Sequence, residues 1–248
     1  MREILYGRQP VRETLRAGRR QVFKLLVVAG LKPTDIVGEA LARARRGGIP
    51  VQEVDRKELD KVAGGEANHQ GLAAEVSGYP YGDLHAILAA AGQDGRPPFL
   101  LLLDHLLDPQ NLGSLLRSAE AAGVHGIVLP GRRASGVTPA AVRASAGAAE
   151  HVLVAEVANL VQAMRQLREE GVWLAGLEAA PQAQLYTQAD LRGPLALVVG
   201  SEGQGLARLV RDTCDYLIKL PMQGQVESLN AATAGAIALY EALRQRST

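Results

Sequence analysis

The stretch Leu195-Ala-Leu-Val-Val199, followed at once by Gly200-Ser-Glu-Gly-Gln-Gly205, decides the fold class. Five consecutive apolar residues without polar alternation suit a strand covered on both faces, as in a parallel sheet. The glycines after it let backbone approach a ligand closely. Outward from this stretch the pattern repeats. Residues 99–103, 126–129, 151–154, 173–177 and 216–220 read as further strands, separated by predicted helices near 111–122, 138–146, 158–170, 205–213 and 227–246. The alternation predicts an α/β class with a mostly parallel sheet and helices on both faces.

The first third reads as a smaller α/β unit, with strands at 22–29, 49–54 and 72–76 and helices at 33–46 and 56–62. Turn formers are dense in 77–82 and 92–98 and flank one short helical run, so 77–97 reads as a linker. The expected division is a domain over 1–76, the linker, and a second domain over 98–248. Net charge is +1, but residues 1–61 carry 14 Lys and Arg against 8 Asp and Glu. That basic end suggests a polyanion-facing surface, with Arg8, Arg12, Arg16, Arg19, Arg20 and Lys24 as candidate phosphate contacts. The same residues also suit a solvated helix face.

With 248 residues, 47% hydrophobic and 21% charged, the chain can bury one large core or two modest ones. No apolar stretch reaches the roughly 18 to 20 residues that cross a bilayer, and the N-terminus lacks a signal-peptide core, so no membrane association is expected and the cytoplasm is favoured. A single cysteine, Cys214, excludes an intrachain disulfide framework and reads as a packing residue. The five histidines show no metal-ligand spacing, so no metal is expected.

Three segments at strand-to-helix junctions carry the chemistry, where open α/β sheets collect ligands. The first is Asn111-Leu-Gly-Ser-Leu-Leu-Arg117, where Asn111, or Asp108 just before it, can cap a helix. Asn111 and Arg117 lie about 600° apart around it and so project from different sides. The second, 200–205, matches neither a dinucleotide fingerprint nor a phosphate loop. Glu202 inside the turn would repel a phosphate and favour a cationic or hydroxyl-rich guest. The third is Leu220-Pro-Met-Gln-Gly-Gln-Val-Glu-Ser-Leu-Asn230, with Glu227, Ser228 and Asn230 at the expected start of the last helix. Residues 231–238 are almost all small, which suits a tightly packed core or a helix–helix contact between subunits.

In this order and with these end residues, the segments resemble motifs 1, 2 and 3 of the SpoU (TrmH-type) branch of the SPOUT RNA 2′-O-ribose methyltransferases. Similarity extends to Leu5-Tyr-Gly-Arg8, His69-Gln-Gly71 and Ser145-Ala-Gly-Ala-Ala-Glu150, and is greatest to the bacterial enzymes that methylate a guanosine ribose of 23S ribosomal RNA. The resemblance implies a catalytic domain with a C-terminal trefoil knot, a homodimer, an N-terminal RNA-binding domain, and S-adenosylmethionine as methyl donor. It implies that backbone at Gly200, Leu220 and Leu229 holds that donor. Asn111, Arg117, Glu202, Ser228 and Asn230 occupy the family's catalytic positions, with Glu202 expected to steer Arg117. The implied substrate is 23S ribosomal RNA or a large-subunit precursor. A tRNA or antibiotic-target-loop methyltransferase, and a non-catalytic assembly factor, are the alternative readings.

Overall fold

The computed structural model describes every residue except Met1, Pro33, Glu66, Ala67, Arg133 and Thr248. The chain divides into two units, one of residues 1–80 with 137–151, the other of residues 81–136 with 152–248.

The first unit contains β1 (Arg2–Tyr6), α1 (Arg8–Ala17), β2 (Val22–Val28), α2 (Asp35–Arg46), β3 (Val51–Val54), α3 (Arg56–Val62) and β4 (Leu72–Ser77). Its sheet runs β1-β4-β2-β3, with β4 antiparallel to both neighbours and β2 parallel to β3. Leu26, Val54, Leu59 and Ala73 form one buried cluster. Residues 137–151 join this unit from far along the sequence, through helix Pro139–Ala144 and the 3-10 turn Ala148–Glu150. Glu150 is fully buried and pairs with Arg20 at 3.0 Å, and Tyr79 donates its hydroxyl to Ala149 O at 2.8 Å.

This packing corrects the reading of the basic end. The Arg20 side chain is 0% exposed, held by Glu150 and Glu3, so it is no phosphate contact. Arg12 and Arg16 pair with Glu13, Arg16 also with Glu39, and Lys24 with Glu75. Arg19 bonds to Glu150 O and Pro80 O. Of the six candidates, Arg8 alone has no ion pair or side-chain bond committing its terminal nitrogens among the described residues.

In the second unit, α4 (Leu84–Asp94) leads into β5 (Phe99–Leu103), α5 (Pro109–Ala121), β6 (Gly126–Pro130), β7 (Leu153–Val157) and α7 (Leu160–Glu169), α6 being the Pro139–Ala144 helix above. Then follow β8 (Trp173–Leu177), β9 (Gln184–Leu185), β10 (Leu195–Val199), α8 (Arg208–Thr213), β11 (Tyr216–Lys219) and α9 (Ala231–Arg246). The sheet order is β7-β6-β5-β10-β8-β11-β9, and every pairing in it is parallel. All five residues of β5, β6 and β10 are buried, as their uninterrupted apolar sequence requires. On one face Ile87, Leu100, Leu102, Met164, Leu167 and Val198 form a continuous core.

Two helix starts differ from expectation. The helix predicted from 205 begins at Arg208, because Gly205 takes φ +65° and closes a turn. The helix predicted from 227 begins at Ala231, with Asn230 as its N-cap, so Glu227 and Ser228 lie in the irregular segment before it. The small residues of α9 do serve close approach: a Cβ on Gly235 would lie 2.6 Å from Leu115 of α5.

Candidate active site

The carboxyl ends of β5, β10, β8 and β11 point to one cleft, because parallel register aligns Leu103, Val199 and Leu177 side by side. The segments leaving these strands form its walls. After β10, residues 201–205 close on themselves: Ser201 N donates to Gly205 O at 3.1 Å and Gly205 N to Ser201 O at 3.0 Å. Gly200 is required by that closure. A Cβ there would lie 2.6 Å from Leu206 N, and nearer still to the carbonyl of Gly205. Asp104, buried at the end of β5, fixes the far side of the turn by accepting Ala207 N at 2.7 Å, and also bonds to His105.

The resulting cavity is ≈ 300 Å³ and is lined by backbone or side chain of Gly200, Glu202, Leu220, Ser228 and Leu229. Glu178 and Lys219 also line it, at the ends of β8 and β11. Sequence reasoning missed these two and Asp104. For Asp104 and Glu178 the available signal was a polar residue directly after an apolar strand; Lys219 ends its strand and had none. Glu178 accepts from Arg211 at 2.8 Å and from Leu206 N at 3.4 Å, while Lys219 Nζ donates to Ala180 O at 3.3 Å. The lining thus holds three carboxylates, Glu178, Glu202 and Glu227, against one ammonium, which suits a cationic guest.

At one wall three predicted residues meet. Asn111 Nδ2 donates to Glu202 Oε1 at 2.7 Å, Asn230 Nδ2 donates to Asn111 Oδ1 at 2.9 Å, and Asn230 also bonds to Glu202. The arrangement is possible because Asp108, not Asn111, caps α5, accepting Gln110 N at 3.0 Å. Asn230 serves twice, since its Oδ1 accepts Ala232 N at 3.0 Å and Thr233 N at 3.1 Å as the cap of α9. Asn111 is 8% exposed although polar, which its two amide bonds make tolerable.

Arg117 lies apart. It is exposed on α5 and has no hydrogen bond or ion pair among the described residues. The expected steering of Arg117 by Glu202 is therefore not made within this chain, where Glu202 Oε1 meets the amides of Asn111 and Asn230 instead. Ser228 is exposed at the cleft and likewise without a bond among the described residues.

S-adenosylmethionine fits what the cleft offers: a close-approach glycine turn for the nucleoside, apolar lining from Leu177, Val199 and Leu229, and an excess of carboxylates for a sulfonium and an ammonium.

Comparison with known proteins agrees. Residues 98–240 match the model of the SpoU rRNA methylase family, and residues 4–82 match that of the RNA 2′-O ribose methyltransferase substrate-binding domain. The Bacillus subtilis (strain 168) protein YacO, named as a TrmH family tRNA/rRNA methyltransferase, is 42% identical over 99% of this chain and 96% of its own length. The SpoU methyltransferase AviRb from Streptomyces viridochromogenes, solved with its cofactor AdoMet, superposes with a TM-score of 0.81 at 27% identity, over 99% of this chain and 91% of AviRb. An AdoMet-bound rRNA methyltransferase from Sinorhizobium meliloti gives 0.79 at 27% identity, over 98% and 87%. The chain belongs to the SpoU family of S-adenosylmethionine-dependent RNA methyltransferases.

Proposed function

We propose that this protein methylates the ribose 2′-hydroxyl of a guanosine in 23S ribosomal RNA. The observation that carries the ribosomal reading is the dedicated substrate-binding unit, matched from residue 4 to 82, together with near full-length similarity to a protein named as an rRNA methyltransferase. Backbone at Gly200, Leu220 and Leu229 holds the methyl donor, and their common place in one cleft supports this assignment. The bound donor supplies an electrophilic methyl group on a cationic sulfur, and no metal is called for because the leaving thioether is neutral.

The chain's residues have the remaining tasks. The hydroxyl must be held about 3 to 3.5 Å from the methyl in line with the bond that breaks, and as the O–C bond forms and the C–S bond breaks its proton passes to solvent water at the open rim. Arg117, with a fork of donors and no acceptor, orients the hydroxyl and its adjacent phosphate and does not act as a base. Asn111 and Asn230 hold Glu202 at the rim, keeping the cleft wall in place and its charge near the sulfonium. Ser228, unpaired at the rim among the described residues, is available to the ribose.

A homodimer completes the reading, with Arg117 of one protomer serving the other's cleft. Its exposure away from Glu202 supports this, as do exposed Ile237 and Tyr240, which are 37% and 51% exposed and share a face of α9. The trefoil knot and the functional division at 76 and 98 belong to the same reading; the family spans support the latter. Mapping 2′-O-methyl positions in total RNA from cells with and without the gene tests the proposal. A lost methyl on 23S guanosine is expected, whereas loss confined to tRNA would replace it with the tRNA reading.

A further inference from the structure

The first unit has a second cavity, ≈ 370 Å³, lined by Arg8, Val28, Leu31, Arg56 and the turn 68–71. Several cations of this unit are spent on internal pairs, Arg2, Arg12, Arg16, Lys24 and Arg43 among them. Arg8 and Arg56 are not. Neither forms an ion pair among the described residues, and both line this one cavity, whose described lining contains no carboxylate.

The turn at its edge is built with care. His69 is 3% exposed; its Nδ1 accepts Gly71 N at 3.0 Å, so the ring proton sits on Nε2 and is directed to Asp60 at 2.9 Å. That buried imidazole fixes two successive residues with positive φ, Gln70 at +55° and Gly71 at +82°. A side chain at Gly71 would strike Leu31, 2.8 Å away. Holding a non-glycine residue in this region costs energy, and such strain gathers where a side chain must be presented. The residue presented is Gln70. Its side-chain oxygen accepts Arg8 N at 3.1 Å and its backbone oxygen accepts Arg8 Nε at 3.2 Å. The Gln70 amide nitrogen and the Arg8 terminal nitrogens keep their donors.

The cavity thus combines hydrogen-bond donors, positive charge and an apolar floor of Val28 and Leu31. Its complement is a flat apolar face, rich in acceptors and joined to a phosphate. We propose that this cavity holds one unpaired nucleotide of the RNA substrate. Arg8 and Arg56 take the phosphate oxygens, Val28 and Leu31 face the base, and Gln70 donates to an acceptor on the base edge. A duplex offers phosphates without a free base face, so it fits the site poorly. The proposal rests on the RNA methyltransferase assignment and deepens it by locating a recognition site outside the catalytic unit.

The test measures binding of the full chain to fluorescent oligouridylate, and to the same strand annealed to oligoadenylate, across a salt series. Arg8→Gln/Arg56→Gln weakens single-strand binding by about tenfold or more at about 0.15 M salt and lowers the salt slope by about 0.7, the value for one phosphate that is no longer neutralised. Gln70→Ala weakens single-strand binding with the slope unchanged. Arg45→Gln/Arg46→Gln, on exposed side chains at the end of α2, is the control for diffuse attraction and leaves single-strand binding within about twofold. If Arg8→Gln disturbs folding, Arg56→Gln alone carries the test, since its side chain is exposed. Equal losses in the control pair, equal losses on duplex, or wild-type binding by the double variant overturn the site. Calorimetric titration with S-adenosylmethionine separates the two levels. A wild-type chain that neither binds it nor transfers methyl removes the enzymatic reading, whereas a methylating chain indifferent to Arg8 and Arg56 removes only this site.

Discussion

Gly200→Ala isolates the turn that shapes the methyl-donor cleft. Ordinary contact begins near 3.4 Å, so a Cβ 2.6 Å from Leu206 N requires that segment to retreat by about 0.8 Å or more. Such a shift pulls apart the paired bonds between Ser201 and Gly205, at 3.1 and 3.0 Å. Two bonds of about 1 kcal/mol each, with about 1 kcal/mol or more of overpacking, give about 3 kcal/mol. Because the turn lines the cleft, the loss falls on donor binding, and at about 1.4 kcal/mol per decade affinity drops about a hundredfold. Gly203→Ala is the comparison. It stands in the same turn at φ +78° with nothing within 4 Å, so it incurs only left-handed strain of about 1 to 2 kcal/mol, about tenfold. Titration calorimetry with S-adenosylmethionine, with a thermal melt for each variant, measures both. The steric account fails if Gly200→Ala binds within threefold of wild type or no worse than Gly203→Ala.

Arg117→Ala and Arg117→Lys should each reduce methyl transfer by about a hundredfold while leaving the melting temperature and donor affinity unchanged, as befits an exposed side chain without a partner among the described residues. Mixing Arg117→Ala with Glu202→Ala should restore about a quarter of wild-type activity if each site draws on both protomers, and none if sites are self-contained. Burial raises the Glu150 carboxyl above its ordinary range despite the opposing pull of Arg20. A raised folded-state value contributes stability that is complete at acid pH and disappears as pH rises through it, so wild type should lose more stability than Glu150→Gln between pH 4.5 and 7.5 in thermal melts. Burial pushes the Cys214 thiol up to about 12, so a disulfide reagent at pH 8 should modify it about a thousandfold more slowly than a free thiol until the protein unfolds.

The parallel sheet was legible because strands buried on both faces leave an unbroken apolar run, as in Phe99–Leu103 and Leu195–Val199. Strand β1 was missed for the opposite reason: Arg2 and Glu3 open it, it is buried at Leu5 alone, and its partner β4 lies about seventy residues away. The start of α9 was misplaced because Glu227 and Ser228 resemble a helix entrance as well as Asn230 does. Only the two backbone amides captured by Asn230 distinguish them. The meeting of Asn111, Glu202 and Asn230 has no local signature, since the latter two stand 91 and 119 positions from Asn111. Arg19 and Arg20 show the limit most sharply. Neighbours of one type in one charge run, they diverge because β4 and the distant Glu150 bury one completely, and charge counting has no access to that partner.

Residues 137–151 fall inside the span matched by the methylase model yet pack within the substrate-binding unit. Heredity must therefore treat two remote stretches of the gene as one part. A recombination that exchanges only the first eighty codons between relatives leaves Arg20 facing a foreign residue where Glu150 stood. Viable chimeras should carry both stretches from the same parent, and substitutions at 20 and 150 should travel together through lineages.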